Sequence, residues 1–261
     1  MKSFNFKSAT NTKEAMKMVS GRTTFLAGGM TLLPAMKLRL AAYSDLINIK
    51  KIKALSGIKV SSKSLRIGAT TTHAEVASSK EVGKSISSLA VLADGIGDPQ
   101  VRNRGTIGGS IANNDPAADY PSACLALNAT IHTSKRKIPA NKFFKDMFET
   151  DLKKGELIES VEFEVPEKSA YAKFPHPASR YAIVGVYVAK LKKEVRVAVT
   201  GVESFEFRCK KLEDALTNNF SPSVIDNITI SSKGFNSDIH ASAEYRAHII
   251  KVMTKKAVSS C

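Results

Sequence analysis

The stretch Arg104 to Tyr120, RGTIGGSIANNDPAADY, carries Gly105, Gly108 and Gly109, then Ser110, Asn113, Asn114, Asp115 and Asp119. Glycine lets a backbone turn tightly and come close to a ligand. Successive N–H groups in such a loop can form a concavity that binds an anion. Pro116 and Pro121 stiffen the exit, because each fixes φ and lacks a donor. The same residue types also build ordinary surface turns. Taken alone, the stretch divides about evenly between the two readings.

A second stretch of the same kind, further upstream, breaks the tie. Thr24-Phe25-Leu26-Ala27 reads as a short strand, Gly28-Gly29-Met30-Thr31 interrupts it, and Leu32 to Leu38 resumes as an apolar helix start. Strand, glycine turn and helix start present backbone N–H groups to a phosphate. Two such loops suggest two clamps on one elongated anion such as a pyrophosphate. Gly95-Ile96-Gly97 starts like a dinucleotide fingerprint, but Gln100 stands where the third glycine belongs and the motif follows a helix, so a Rossmann reading fails.

Outward from the two loops, the chain alternates short strands and helices. Helices are expected at Thr12 to Met18, Ile86 to Ala93, Pro121 to Leu127, Lys211 to Thr217 and Ser242 to Met253. Thr72 and Glu75 have capping-box spacing. Strands are expected at Leu46 to Ile49, Leu65 to Ala69, Ala129 to His132 and Leu157 to Val165, and a hairpin joins Ala182 to Lys190 with Val195 to Val202. The polar, proline-containing run Pro166 to Pro177 reads as a connection and a domain boundary.

Composition is that of a globular protein of 261 residues, long enough for a sizeable core. Cys124, Cys209 and Cys261 are far apart, which argues against a disulfide framework, an iron–sulfur cluster or a zinc site in this chain. His73, His132, His176, His240 and His248 lack metal-ligand spacing, so no metal is expected. No nucleophile elbow supports hydrolysis. The N-terminus lacks a signal-peptide core, and no apolar run is long enough to span a membrane, so the expected compartment is the cytoplasm. The net charge of +15 is spread along the chain without interleaved aromatics, so nucleic acid is not the expected partner; an acidic partner subunit could meet one basic face.

The pair AGGMTLLPAMKLRLA (Ala27 to Ala41) and TIGGSIANNDPAADYP (Thr106 to Pro121), with KFPHPASRYAIVGV (Lys173 to Val186), closely resembles the flavin-binding medium subunit of molybdenum hydroxylases. That is the xanthine dehydrogenase family, with the aerobic carbon monoxide dehydrogenase type nearest. The resemblance covers essentially the whole chain. It implies an α+β fold: a two-subdomain FAD-binding domain of the vanillyl-alcohol-oxidase (PCMH) type at residues 1–170, with subdomains of about 1–56 and 57–170. A C-terminal domain of antiparallel sheet plus helices would follow at 171–261.

Residue by residue, the resemblance places Ala27, Gly28, Gly29, Met30 and Thr31 in the first flavin loop, and Thr106, Ile107, Gly108, Gly109 and Ser110 in the second. Relatives often carry a polar residue at the position of Met30, so only backbone contact is implied there. Asp119 matches an aspartate that contacts the flavin's sugar chain, while Ile96, Ile158 and His176 fall at positions bordering the flavin. Tyr181 is a further candidate for the ring. The cofactor implied is FAD, with molybdopterin and iron–sulfur clusters confined to a large and a small partner subunit, in a dimer of heterotrimers. Electrons would leave through FAD to an external acceptor such as a quinone or NAD. The chain itself would hold no catalytic base, nucleophile or metal. Rival readings are a free-standing FAD-dependent oxidoreductase and a basic, non-enzymatic binding module.

Overall fold

The computed structural model describes residues 1–261. Residues at the N-terminus form β1 (Asn5–Ser8), α1 (Thr12–Lys17), β2 (Thr23–Leu26), α2 (Leu32–Lys37) and β3 (Asp45–Asn48). The three strands are parallel, in the order β1-β3-β2. Parallel neighbours need crossover connections, and the two short helices lie in them. Asn11 starts α1 by accepting from the Glu14 N–H at 2.9 Å. Ala15, Ile47, Ile52 and Leu55 form this unit's small core.

The second unit runs through β4 (Ile58–Val60), β5 (Ser64–Gly68), α3 (His73–Ser78), α4 (Lys80–Ser85), α5 (Ser87–Asp94), α6 (Pro99–Arg104), α7 (Ile107–Asn113) and α8 (Tyr120–Ala126). It ends with β6 (Thr130–Thr133), β7 (Lys137–Pro139), α9 (Ala140–Phe143), the small hairpin β8 (Phe144–Asp146) and β9 (Glu149–Thr150), and β10 (Ile158–Glu164). An antiparallel sheet in the order β4-β5-β10-β6-β7 backs the helices. The capping box at α3 is present: Glu75 N–H donates to Thr72 Oγ1 at 3.2 Å, and Thr72 N–H donates to the Glu75 carboxylate at 2.7 Å.

The last unit is the antiparallel sheet β11 (Lys168–Pro175), β12 (Ala182–Lys190), β13 (Val195–Thr200) and β14 (Phe207–Arg208), followed by α10 (Lys210–Asn218) and α11 (Ala243–Ser259). Strand β12 is a nearly unbroken apolar run because both of its faces are covered. Val184, Val186 and Val188 pack with Leu212, Leu216 and Ile250 from the two helices. Tyr187 and Ala189 point the other way, into the core of the second unit. The alternation of side chains along a strand therefore ties the C-terminal sheet to the second unit. No helix is long and apolar enough to cross a membrane.

Two expectations need correction. The run Pro166 to Pro177 is not a connection: Lys168–Pro175 is the edge strand β11, and it crosses residue 170. Ala170 and Ala172 are buried on its helix side, and the run tolerates Pro175 because an edge strand needs few of its N–H groups. The second glycine stretch is not a loop. Thr106 accepts from Gly109 N–H as an N-cap, and Gly108 and Gly109 lie in the first turn of α7.

Candidate functional site

The first glycine loop leaves the C-terminal end of β2, at the carboxyl edge of the parallel sheet, where ligands bind in open α/β sheets. Gly29 has φ of +78°, a conformation that side chains resist. Gly28 is buried, and a Cβ there would overlap the carbonyl of Arg104 and lie 2.9 Å from the Cα of Gly105. The loop therefore rests directly on the entry to the second glycine stretch, and the fold brings the two motifs together. The N–H groups of Ala27, Gly28, Gly29, Met30 and Thr31 donate to no acceptor in the chain. Thr31 heads α2 without capping it, which leaves its hydroxyl free of that duty.

The second stretch behaves differently. Ile107 N–H donates to Thr71 O at 3.1 Å and Gly108 N–H to Ala69 O at 2.9 Å. Gly109 N–H is held by Thr106 Oγ1 at 3.2 Å and Ser110 N–H by Thr106 O at 3.0 Å. These donors are occupied, so the expected second anion nest is absent. What the stretch offers instead is a bare surface. Gly109 is exposed, and a Cβ there would meet only Thr106 Oγ1, at 2.9 Å. Its φ is not positive, so a side chain at Gly109 brings no left-handed backbone strain. Gly109→Val should therefore leave the melting temperature within a few degrees of the parent while lowering FAD occupancy. Unchanged flavin content in the purified variant would remove Gly109 from the site.

Asp119 stands at the start of α8, but its side chain caps nothing there. It is 4% exposed. Its Oδ1 accepts from the Tyr171 hydroxyl and lies 3.0 Å from Lys173 Nζ, whereas Oδ2 has no partner in the chain. Burial pushes the Asp119 carboxyl above its ordinary value, and the Lys173 ammonium and the Tyr171 hydroxyl pull it back part of the way. Asp115 is engaged differently: its Oδ1 accepts from Ala117 N–H at 3.0 Å, which makes it a turn residue. Tyr181 lies near both carboxylates and Thr31; burial raises the pKa of its phenol and the two carboxylates add to the rise.

The three looser candidates fall in different surroundings. Ile96 is half-buried, with its carbonyl accepting from Arg102 at 3.1 Å. Ile158 is 3% exposed, its side chain belongs to the core of the second unit, and it pairs with Thr133 of β6 in the sheet. His176 is half-buried, just past the end of β11. Its Nδ1 accepts from the N–H groups of Ala178 and Ser179 at 3.1 Å each, and its Nε2 lies 3.0 Å from that of His240. The imidazole is thus committed to its own turn and to a C-terminal loop. Lys173 and Tyr171 were not singled out from the sequence as side chains of the site. The alternation Ala170-Tyr171-Ala172-Lys173 was the available signal, and the flanking prolines obscured it.

The site thus combines a loop of unpaired N–H groups after β2, the second glycine stretch packed on it and the buried carboxylate of Asp119, which is the donor and acceptor set a nucleotide cofactor would need. Comparison gives the family. Residues 2–167 match the model of the FAD binding domain in molybdopterin dehydrogenase, and residues 169–261 match the CO dehydrogenase flavoprotein C-terminal domain. The chain belongs to this family, as an FAD-binding medium subunit of the molybdenum hydroxylase type. It is 36% identical to the glyceraldehyde dehydrogenase medium chain of Sulfolobus acidocaldarius, over 97% of this chain and 96% of that one. It is 33% identical to the carbon monoxide dehydrogenase medium chain of Hydrogenophaga pseudoflava, over 90% and 88%. The solved structure of reconstituted CO dehydrogenase from Oligotropha carboxidovorans superposes with a TM-score of 0.91 at 26% identity, over 99% of this chain and 97% of that one.

Proposed function

We propose that this chain holds one FAD non-covalently and acts as the electron-transfer subunit of a molybdenum hydroxylase complex. The observation that carries the reading is the run of free N–H groups from Ala27 to Thr31, packed against the second glycine stretch. A run of unused donors fits a pyrophosphate. In this reading the first loop binds the pyrophosphate and Thr106 to Ser110 form the opposing wall. Asp119 Oδ2 accepts from the sugar-chain hydroxyls, and Ile96, Ile158 and His176 border the cofactor. FAD supplies exchange between two-electron and one-electron chemistry, and the protein binds and orients it.

The same reading gives the chain two partners, a large molybdopterin subunit and a small iron–sulfur subunit, in a dimer of heterotrimers in the cytoplasm. The chain then passes electrons from the iron–sulfur clusters to an external acceptor such as a quinone or NAD. The FAD-binding part ends just before β11, near residue 167. Relatives named for glyceraldehyde and for carbon monoxide share this chain's architecture, which suits a subunit that does not choose the substrate.

Two measurements test the reading. Asp119→Asn keeps the shape and removes the charge; it should weaken FAD binding by roughly 1–3 kcal/mol, about 5- to 150-fold, with the fold intact. An unchanged dissociation constant would move Asp119 out of the site. Separately, the FAD-loaded chain alone should be reduced by small redox dyes. It should stay oxidised under anaerobic carbon monoxide, aldehydes or hypoxanthine until both partner subunits are added. Bleaching by any of these substrates without partners would overturn the electron-transfer reading in favour of a free-standing oxidase.

A further inference from the structure

Strand β11 sends two polar side chains toward the second unit rather than to solvent. Tyr171 and Lys173 are two residues apart, so they share a face of the strand. Both end on the same atom, Oδ1 of Asp119. Lys173 is 11% exposed at its side chain and also donates to Gly95 O at 2.7 Å, one residue before Ile96. Gly185, opposite Lys173 on β12, makes the room: a Cβ there would collide with the Tyr171 hydroxyl. Two side chains of one strand thus fix one carboxylate oxygen and leave the other free.

The arrangement has a chemical consequence. A carboxylate buried without a charged partner takes up a proton, and a protonated carboxyl is a poorer acceptor for hydroxyl groups. An ammonium at 3.0 Å holds the charge, and two donors on Oδ1 fix the plane of the group. We propose that Lys173 and Tyr171 are positioning residues, which hold Asp119 so that its Oδ2 accepts from the hydroxyls of the flavin's sugar chain. This rests on the FAD reading above. It makes the C-terminal sheet part of the cofactor site rather than a cover over it, and it explains why a basic side chain is buried on an edge strand.

The test is a double-mutant cycle on the full chain, with FAD as the probe and quenching of flavin fluorescence as the readout. Lys173→Met should weaken FAD at least about ten-fold in the parent and by less than about two-fold in the Asp119→Asn background, because a residue acting through Asp119 has nothing left to position. Lys173→Arg should recover most of the affinity. Equal losses in both backgrounds would mean that Lys173 acts on its own or only on the fold, and the inference would fail. Melting temperatures of the FAD-free variants show which remain folded. If Lys173→Met does not fold, Tyr171→Phe carries the same cycle with the same two outcomes. A parent chain that binds no FAD sinks the FAD reading and this inference together; a parent that binds it, beside a Lys173→Met variant that binds it equally well, sinks this inference alone.

Discussion

Alanine at Gly28 is expected to strip the chain of FAD and to destabilise it by about 1–3 kcal/mol, although the change adds one methyl group. The methyl would overlap the Arg104 carbonyl and crowd Gly105 Cα, and these are backbone atoms that cannot swing aside. The first glycine loop would have to lift off the second stretch. Free N–H groups that bind one anion together must stay within hydrogen-bond reach of it, and a displacement of an ångström breaks several bonds at once. Loss of two such bonds at roughly 1.5–3 kcal/mol each would weaken FAD by more than about 100-fold. Gly83→Ala is the matched control, because nothing lies within 4 Å of a Cβ there and the residue is helical. That variant should keep FAD and gain about 0.5–1 kcal/mol of stability. A Gly28→Ala protein that purifies yellow, with parental flavin content, would show that the two motifs need not touch.

Glu206 should make the protein lose stability as pH rises. The residue is 2% exposed, and both of its carboxylate oxygens are buried without a hydrogen-bond partner. Burial pushes its pKa from 4.5 up to about 8. The folded chain therefore holds a proton that the unfolded chain releases, so stability is complete below about pH 4.5 and declines until about pH 8. At ~1.4 kcal/mol per pH unit the full loss is on the order of 5 kcal/mol. His73 works in the opposite sense. Burial and the nearby Arg102 lower its pKa to about 4, so it costs stability as pH falls below its ordinary value of 6.5. The two slopes oppose each other in mild acid, and above about pH 6.5 only that of Glu206 remains. Glu206→Gln removes the titration and keeps the shape. Chemical denaturation of the two proteins at about pH 6.5 and about pH 8.5 should show the parent losing stability that the variant retains. Parallel curves would mean that Glu206 is ionised in the folded chain.

Much of the architecture was legible because it depends on local chemistry. The capping box at Thr72 and Glu75 needs only two residues three apart, and it forms as read. The β12–β13 hairpin follows from two apolar runs separated by a short polar turn. The glycine at position 29 marks a positive φ that the structure contains. Strand β11 was missed because proline is a strong local signal for a break, and only the edge position of the strand makes Pro175 tolerable.

The sequence by itself determined that two glycine stretches and Asp119 would be the polar, bare-backbone features of this chain, since residue type fixes which groups can donate, accept or stand aside. It also determined the periodicities that build each unit, because alternation and helical spacing are properties of neighbouring residues. Only the tertiary structure decided which of those groups are free. The N–H groups of Ile107 and Gly108 are consumed by Thr71 and Ala69, while those of Ala27 to Thr31 are left without acceptors. Asp119 is held by Tyr171, 52 residues further on, and the side chain of Ile158 is buried in a core. A backbone donor looks the same in any sequence. Whether it meets a carbonyl or a ligand depends on which distant segment packs over it, and burial of apolar surface across three units settles that packing.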